Sequence, residues 1–343
     1  MHFSFPVLFL DIGGTNVRAA FVSSPGARLT QPLHFRTTDY PSLEAAIAAI
    51  VSLQNMKPKS VIACAAGPVA GDRVKLTNSD WSIDGTRAAA ELDLEQGLLL
   101  NDFEAQAFSL PALASAAYQV IGEQIDGRDN PQLVLGPGTG LGAAVLNQIE
   151  RRYFVSTSEA GHVNFGPFEA DEVVIWPYLE RMASQRISAE TILSGPGLLR
   201  LHRARLAARG KPVPEIDASM LVADAHDQPD GEAAESLRLF WRLMARFAGD
   251  LALAFNSTGG VTLAGGILPK IIKFVDEFDF RRCFENKAPF QEFMKEIPTR
   301  VITLPDSVLN GMVEIAANPH LFAIDYEHRV WRAFESRQMS SNA

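Results

Sequence analysis

Three glycine-rich turns, each preceded by an apolar run, constrain the fold of this chain more than any other feature of its sequence. They occupy residues 11–16, 136–142 and 264–266. Glycine allows positive φ angles and lets bare N–H groups approach an anion closely. Because the junction of strand and glycine recurs three times, the sequence predicts phosphate groups held by the main chain.

Strands and helices alternate around these turns. Apolar runs at residues 7–10 and 17–22 predict a hairpin around the first turn, and runs at 133–135 and 143–146 repeat that order around the second. Apolar positions spaced by three and four predict a long helix over 231–255. The alternation is typical of a layered α/β fold, and the repeated order favours the hypothesis of an internal duplication.

Other segments are predicted from the same patterns. Residues 60–65 predict a buried strand, and residues 271–278 predict a helix after the third glycine turn. A basic stretch over residues 200–211 is expected to form the solvated face of a helix rather than an anion site. The last residues, 318–343, mix aromatic and charged side chains and predict one docked helix with a frayed end.

Composition excludes several classes of protein. The net charge of −9 argues against a general nucleic-acid binder, which needs a surplus of Lys and Arg over a broad face. The two cysteines, Cys64 and Cys283, are too few and too far apart for a disulfide framework or a thiolate metal cluster. The apolar run before Asp11 is too short for a membrane span or a signal segment. We therefore expect two packed domains in a cytoplasmic protein, with no nucleic-acid partner and no membrane association.

Asp11 is an acid at the carboxyl end of a predicted strand, where α/β proteins place ligand groups. It could hold a magnesium ion through water, because Mg²⁺ favours one or two carboxylates together with substrate phosphates. It could instead cap backbone N–H groups of its own turn. Thr15 and Asn16 are likewise either donors to phosphate or sugar or simple turn residues.

Asp102 follows the apolar run at residues 98–100 and precedes a segment compatible with a helix. A carboxylate in this place could accept the proton of a substrate hydroxyl as that hydroxyl attacks a γ-phosphate. Asn and Asp are also the preferred residues at helix N-caps, so a capping role for Asp102 is the alternative.

Glu159, His162 and Glu190 form a set that suits a polyol. Carboxylates accept hydrogen bonds and imidazole donates or accepts them, so the three could hold vicinal hydroxyls in one orientation. The alternatives are a satisfied core histidine for His162 and a first-turn helix acid for Glu190. A zinc site at His162 is not expected, because residues 163–172 contain no Cys and no second His.

Together these motifs resemble the bacterial glucokinase family, in the same order and at similar intervals, from residue 7 to about 317. The matching segments are residues 10–18, 100–103, 136–142, 159–163, 188–190, 193–197 and 263–267. The resemblance implies a duplicated actin-like ATPase fold of the ribonuclease H-like kind, with two α/β domains around a cleft. It implies a small domain of residues 1–112 plus 306–343, a large domain of residues 113–305, and a homodimer.

The resemblance also implies individual roles. The first phosphate loop of the family falls on Asp11, Gly13, Gly14, Thr15 and Asn16, with Asp11 as the metal-associated residue. Its second phosphate loop falls on Gly138 and Thr139, and its adenosine-side glycines fall on Gly265 and Gly266. Its sugar-binding positions match Asn101, Asp102, Glu159, His162 and Glu190, with Asp102 as the catalytic base. Gly67 and Asn78 are weaker candidates for sugar contact.

The activity that the resemblance implies is ATP-dependent phosphorylation of D-glucose to glucose 6-phosphate, with Mg²⁺. Three alternatives stay open: a kinase for mannose, fructose or an amino sugar; a non-catalytic sugar sensor; and an actin-like ATPase without a sugar acceptor. Glycine turns bind phosphate and not base, so ADP or polyphosphate could also be the donor. The chain departs from many relatives at Ala160, where they have Gly, and in a longer tail after Ala317.

Overall fold

The computed structural model describes residues 1–67, 69–76, 80–125, 131–179 and 186–333. These residues divide into two compact units. The first unit contains Met1–Ala112, Ile149–Phe154 and the chain from Asp306 onward. The second contains Leu113–Gln148 and Val155–Pro305.

The strands of the described residues fall into two six-stranded sheets and one small pair. They are β1 Val7–Ile12, β2 Asn16–Val22, β3 Leu33–Arg36, β4 Ser60–Ala65, β5 Arg73–Lys75, β6 Ser82–Asp84, β7 Gln96–Asn101, β8 Tyr118–Val120, β9 Gln132–Pro137, β10 Leu141–Ile149, β11 Arg152–Ser158, β12 Gly260–Leu263, β13 Thr299–Ile302 and β14 Val330–Trp331.

The α-helices of the described residues range from one turn to more than six turns. They are α1 Leu43–Gln54, α2 Gly85–Leu92, α3 Asp102–Phe108, α4 Ala170–Ile175, α5 Ala189–Ile192, α6 Gly195–Ala208, α7 Ala218–Asp227, α8 Glu232–Ala254, α9 Leu268–Ile271, α10 Glu277–Glu285, α11 Gln291–Lys295, α12 Ser307–Ala317 and α13 Tyr326–Arg329. Within the described residues, none of the helices is both long enough and apolar enough to cross a membrane.

The first sheet has the strand order β14-β7-β4-β1-β2-β3. Strands β1, β4 and β7 run parallel, and β2 pairs antiparallel with β1 across the first glycine turn. Every residue of β1 and β4 is buried, as expected of strands covered on both faces. Since parallel strands end at the same edge, Asp11, Cys64 and Asn101 come together there.

The second sheet has the order β11-β10-β9-β12-β13-β8 and carries the second and third glycine turns. Strands β9, β12 and β13 run parallel, β10 is antiparallel to β9, and β8 is antiparallel to β13. The first sheet has the same sequence of a hairpin, two parallel neighbours and an antiparallel edge strand. This shared order supports the hypothesis of a duplication.

Several elements agree with the prediction made from apolar spacing. The long helix predicted over residues 231–255 is α8, in which Phe240 and Met244 are fully buried. The buried strand predicted at residues 60–65 is β4.

The helix predicted over residues 271–278 is wrong. Helix α9 ends at Ile271, and α10 begins at Glu277. Asp276 causes the new start, because its side chain accepts a hydrogen bond from Asp279 N at 2.9 Å. An apolar spacing alone cannot show that a capping residue interrupts the helix.

Two further expectations need correction. The basic stretch over residues 200–211 is not a uniformly solvated face, because His202 and Arg205 are buried. Arg205 forms an ion pair of 3.1 Å with Glu232, at the start of α8. The tail contributes not only a docked helix, α13, but also the edge strand β14 of the first sheet.

Candidate active site

The first glycine turn is closed by its own backbone. Gly13 N donates to Asn16 O at 2.9 Å, and Thr37 Oγ1 donates to Gly14 O at 3.1 Å. Gly14 is buried, whereas Thr15 and Asn16 are exposed. The side chains of Thr15 and Asn16 are therefore accessible to a ligand.

Asp11 is the first residue of this turn and is 9% exposed. Its carboxylate contacts the guanidinium of Arg18 and accepts a hydrogen bond from Cys64 Sγ at 3.3 Å. Burial raises the pKa of the Cys64 thiol well above its usual value, so this thiol remains a protonated donor. Side chains of β2 and β4 thus hold Asp11, and Arg18 reaches on to Asp306 at 3.2 Å.

The donor set around Asp11 fits a magnesium ion held largely by substrate. A carboxylate offers about four lone-pair positions, so Asp11 can accept from Arg18 and Cys64 and still bind a metal-bound water. The part of the chain that the structure describes contains no cluster of three or more metal-binding side chains. An ion at this place would therefore take its remaining ligands from phosphate oxygens and water, as Mg²⁺ prefers.

Asp102 is the first residue of α3, at the same edge of the first sheet. The preceding Asn101 is the N-cap, since its Oδ1 accepts from Phe103 N at 3.0 Å and Glu104 N at 3.2 Å. The alternative of Asp102 as the N-cap is therefore wrong. Asn101 Nδ2 also donates to Gly67 O at 3.2 Å, which brings Gly67 to the site.

The carboxyl of Asp102 has a strongly shifted acidity. Burial raises the pKa of Asp102 to about 7, opposed by a hydrogen bond from Phe103 N at 3.0 Å and supported by the charge of Asp11. A carboxyl group with a pKa close to neutrality can both accept and release a proton under physiological conditions. This acidity suits a general base.

The second and third glycine turns pack main chain against main chain. A Cβ on Gly136 would lie 2.0 Å from Ala264 O, and one on Gly265 would lie 2.3 Å from Pro137 O. Gly265 also has a φ of 104°, which L side chains rarely adopt. Gly266 faces open space, so close packing explains Gly265 and not Gly266.

The exposed part of the second turn is formed by Gly138 and Thr139. Gly138 N donates to Gly140 O at 2.8 Å, and Gly195 N donates to Gly138 O at 2.9 Å. The start of α6 thus fixes this turn from one side, and its outer face is accessible.

Glu159 and His162 are exposed residues of the second unit on either side of the buried Ala160 and Gly161. Their side chains are 86% and 54% exposed, and Glu159 Oε2 lies 3.7 Å from His162 Nε2. The alternative of His162 as a core histidine is wrong. Both side chains are free to meet a polar ligand from solvent.

Glu190 stands in the first turn of α5, after the N-cap Ser188, as the alternative reading of its sequence predicted. Its Oε2 also accepts a hydrogen bond from Leu141 N at 2.9 Å, within the second glycine turn. A Cβ on Gly140 would lie 2.5 Å from this oxygen, so a larger residue there would displace the carboxylate of Glu190. Glu190 therefore joins α5 to the second glycine turn.

The structure thus collects the candidate residues within each unit. Asp11, Asn101, Asp102 and Gly67 share one sheet edge of the first unit, and Glu190 adjoins the second turn in the second unit. Asn78, a weaker candidate for sugar contact, lies outside the described residues.

Sequence reasoning missed the residues that support this site. Arg18 could have been found, because the hairpin register places it opposite Asp11. Cys64 and Arg329 carry no local signal, since their partners lie on distant parts of the chain. Glu104 does carry one, because it follows Asn101 by three residues, the spacing of a capping box.

The fold and the glycine turns define the class of protein. Two sheets of shared strand order, each with a glycine turn in its hairpin, form the actin-like ATPase fold. A solved glucokinase from an Antarctic psychrotroph matches it with a TM-score of 0.78 and 28% identity, over 91% of this chain and 99% of that chain. A ROK family glucokinase from Streptomyces griseus, in complex with glucose and AMPPNP, shares the fold with a TM-score of 0.61 and 22% identity, over 91% and 99%.

The family follows from the sequence comparison. The Glucokinase family model matches residues 8–319. The glucokinase of Mesorhizobium japonicum is 39% identical over 330 residues, which cover 96% of each chain. This chain therefore belongs to the glucokinase family, which confirms the resemblance found in its motifs.

Proposed function

We propose that this chain transfers the γ-phosphoryl group of ATP to the 6-hydroxyl of D-glucose, forming glucose 6-phosphate and ADP. The observation that carries the proposal is Asp102, which stands at the start of α3 with a pKa of about 7 in a member of the glucokinase family. The relatives named glucokinase support glucose as the acceptor. The AMPPNP in the Streptomyces griseus structure supports ATP as the donor.

Asp102 is the general base of this mechanism. Its carboxylate accepts the proton of the 6-hydroxyl while the oxygen attacks the γ-phosphorus and the bond to the ADP oxygen breaks. In a loose transition state the hydroxyl proton leaves late, so a carboxylate is basic enough. The N–H of Phe103 donates to one oxygen of this carboxylate and holds it in place.

The glycine turns bind the triphosphate. Gly13, Gly14, Thr15 and Asn16 form one phosphate loop with Asp11, and Gly138 with Thr139 forms the other. Gly265 and Gly266 lie beside the adenosine, where Gly265 provides close packing and Gly266 leaves room for the nucleotide. A magnesium ion associated with Asp11 would neutralise phosphate charge and orient the γ-phosphoryl group.

The sugar is bound by Asn101, Asp102, Glu159, His162 and Glu190. Carboxylates accept hydrogen bonds from hydroxyls, and the imidazole fixes one hydroxyl as donor or acceptor. The backbone of Gly67 and the side chain of Asn78 are weaker contributors. Because Glu190 Oε2 already accepts from Leu141 N, its sugar contact and the second phosphate loop are coupled.

A panel of sugars and donors tests this proposal. ADP release is measured with glucose, mannose, fructose and glucosamine, each with ATP, and phosphorylation of glucose is repeated with ADP and polyphosphate as donors. We expect the highest kcat/KM for glucose with ATP. A higher value for another sugar would make the chain a kinase for that sugar, and glucose binding without phosphoryl transfer would make it a sensor. Sedimentation of the same preparation tests the expected homodimer.

A further inference from the structure

The segment of the tail formed by α13 and β14 is built into the first sheet. Strand β14 pairs antiparallel with β7 through Val330 opposite Leu98 and Trp331 opposite Gly97. Trp331 is 4% exposed, and a Cβ on Gly97 or Gly85 would lie within 2.5 Å of its ring. This fit fixes the residue that precedes β14, Arg329.

Arg329 forms hydrogen bonds with the first turn of α3. Its Nη1 donates to Glu104 Oε1 at 2.7 Å, and its Nη2 donates to Glu104 Oε2 at 2.8 Å. The same Nη2 donates to Leu99 O at 2.8 Å, on β7. The two side chains are only 21% and 11% exposed, so this two-point pair is shielded from solvent.

Glu104 also forms hydrogen bonds that involve the residues on either side of Asp102. Its Oε2 accepts from Asn101 N at 3.2 Å, and Asn101 Oδ1 accepts in return from Phe103 N and Glu104 N. This reciprocal capping box sets the backbone where β7 becomes α3. The hydrogen bonds from Arg329 therefore reach both neighbours of Asp102.

We propose that Arg329 is a positioning residue for phosphoryl transfer, which acts by holding the start of α3 and thereby the carboxylate of Asp102. The proposal rests on the proposed function, in which Asp102 is the base. Without Arg329, Glu104 is a largely buried carboxylate without its cation, and it must turn towards water and leave the cap. A small displacement of a catalytic group is enough to slow a reaction strongly.

Kinetics of tail variants test this role. We expect Arg329→Met to lower kcat by about tenfold or more, with the KM for ATP unchanged, because the hydrogen bonds of Arg329 go to Glu104 and Leu99 and not to the phosphate loops. Arg329→Lys should recover part of the loss, since lysine restores the charge without the two-point grip. The matched control is Arg332→Met, which changes an exposed arginine directly after β14 and should keep the wild-type kcat.

Hydrogen exchange supplies a readout that does not depend on sugar phosphorylation. In Arg329→Met, the amides of Phe103 and Glu104 should exchange faster, while those of α1 stay as in the wild type. Glu104→Gln should act in the same way and keep its volume. The double variant should lose no more kcat than the more affected single variant, because both act through one contact.

Unchanged kcat or unchanged exchange at α3 in Arg329→Met would overturn the inference, as would equal effects in Arg332→Met. A wild-type protein that releases no ADP with glucose would instead contradict the proposed function. The exchange comparison would then decide by itself whether Arg329 holds the start of α3.

Discussion

At the scale of single residues, the site depends on carboxylates whose surroundings differ. Asp11 has Arg18 as a direct cation, whereas the half-buried Asp102 has a backbone N–H and a nearby negative charge. An ion pair favours the charged form of a carboxyl group, and burial opposes it. Asp102 is thus the carboxylate suited to exchange a proton near neutral pH.

The raised pKa of Asp102 predicts a pH-dependent effect on stability. The pKa is about 7 in the folded chain, against about 4 for an unfolded one. Between these values the folded state binds more protons, so the free energy of unfolding falls as the pH rises. We expect the Tm of Asp102→Asn, in buffer with a chelator, to exceed the wild-type Tm at pH 8 and the difference to shrink by pH 5.

Thermal unfolding of both proteins at the two pH values measures this difference. A difference in Tm of the same size at pH 5 and pH 8 would show that the acidity of Asp102 is not shifted by folding.

At the scale of elements, the sequence could predict those that have a local pattern and could not predict those that depend on tertiary contacts. Strands β1, β4 and β9 were predictable because their apolar runs end at polar or glycine-rich turns. Strand β14 was not, since two residues carry no periodicity and its pairing depends on β7. The burial of Arg205 likewise depends on Glu232, 27 positions away.

The contact between the second and third glycine turns predicts that substitution of two neighbouring glycines changes the free energy of unfolding by different amounts. Gly265→Ala should lower the free energy of unfolding by about 1–3 kcal/mol, because its Cβ meets Pro137 O and its φ is positive. Gly266→Ala is the matched control and should change it by less than about 0.5 kcal/mol, since its Cβ meets open space. Urea unfolding of both variants measures the difference. Equal midpoints would contradict the close packing of these turns.

At the scale of the whole molecule, the chain contains two sheets that share one strand order and carry different candidate site residues. In the first unit the sheet edge carries Asp11 and Asp102, and in the second unit the equivalent hairpin turn is joined to Glu190. The motifs predicted the family and the fold because glycines and acids stand at fixed places in the chain. They could not predict the support behind Asp102, which comes from a tail more than 200 residues away.

The domain boundaries predicted at residues 112 and 306 remain a prediction. The compact units add residues 149–154 to the first unit, where the chain passes from β10 to β11. A boundary inferred from motifs cannot locate such a short excursion, because it contains no functional residue.

The turnover of Asp102→Asn with glucose and MgATP tests the central claim most directly. Asparagine keeps the shape of the side chain and cannot accept the proton, so we predict a kcat lower by about 10²- to 10⁴-fold with little change in the KM for glucose. Asp93→Asn makes the same chemical change at an exposed position and should keep the wild-type kcat. A kcat for Asp102→Asn within about threefold of the wild type would contradict the role of Asp102 as the general base.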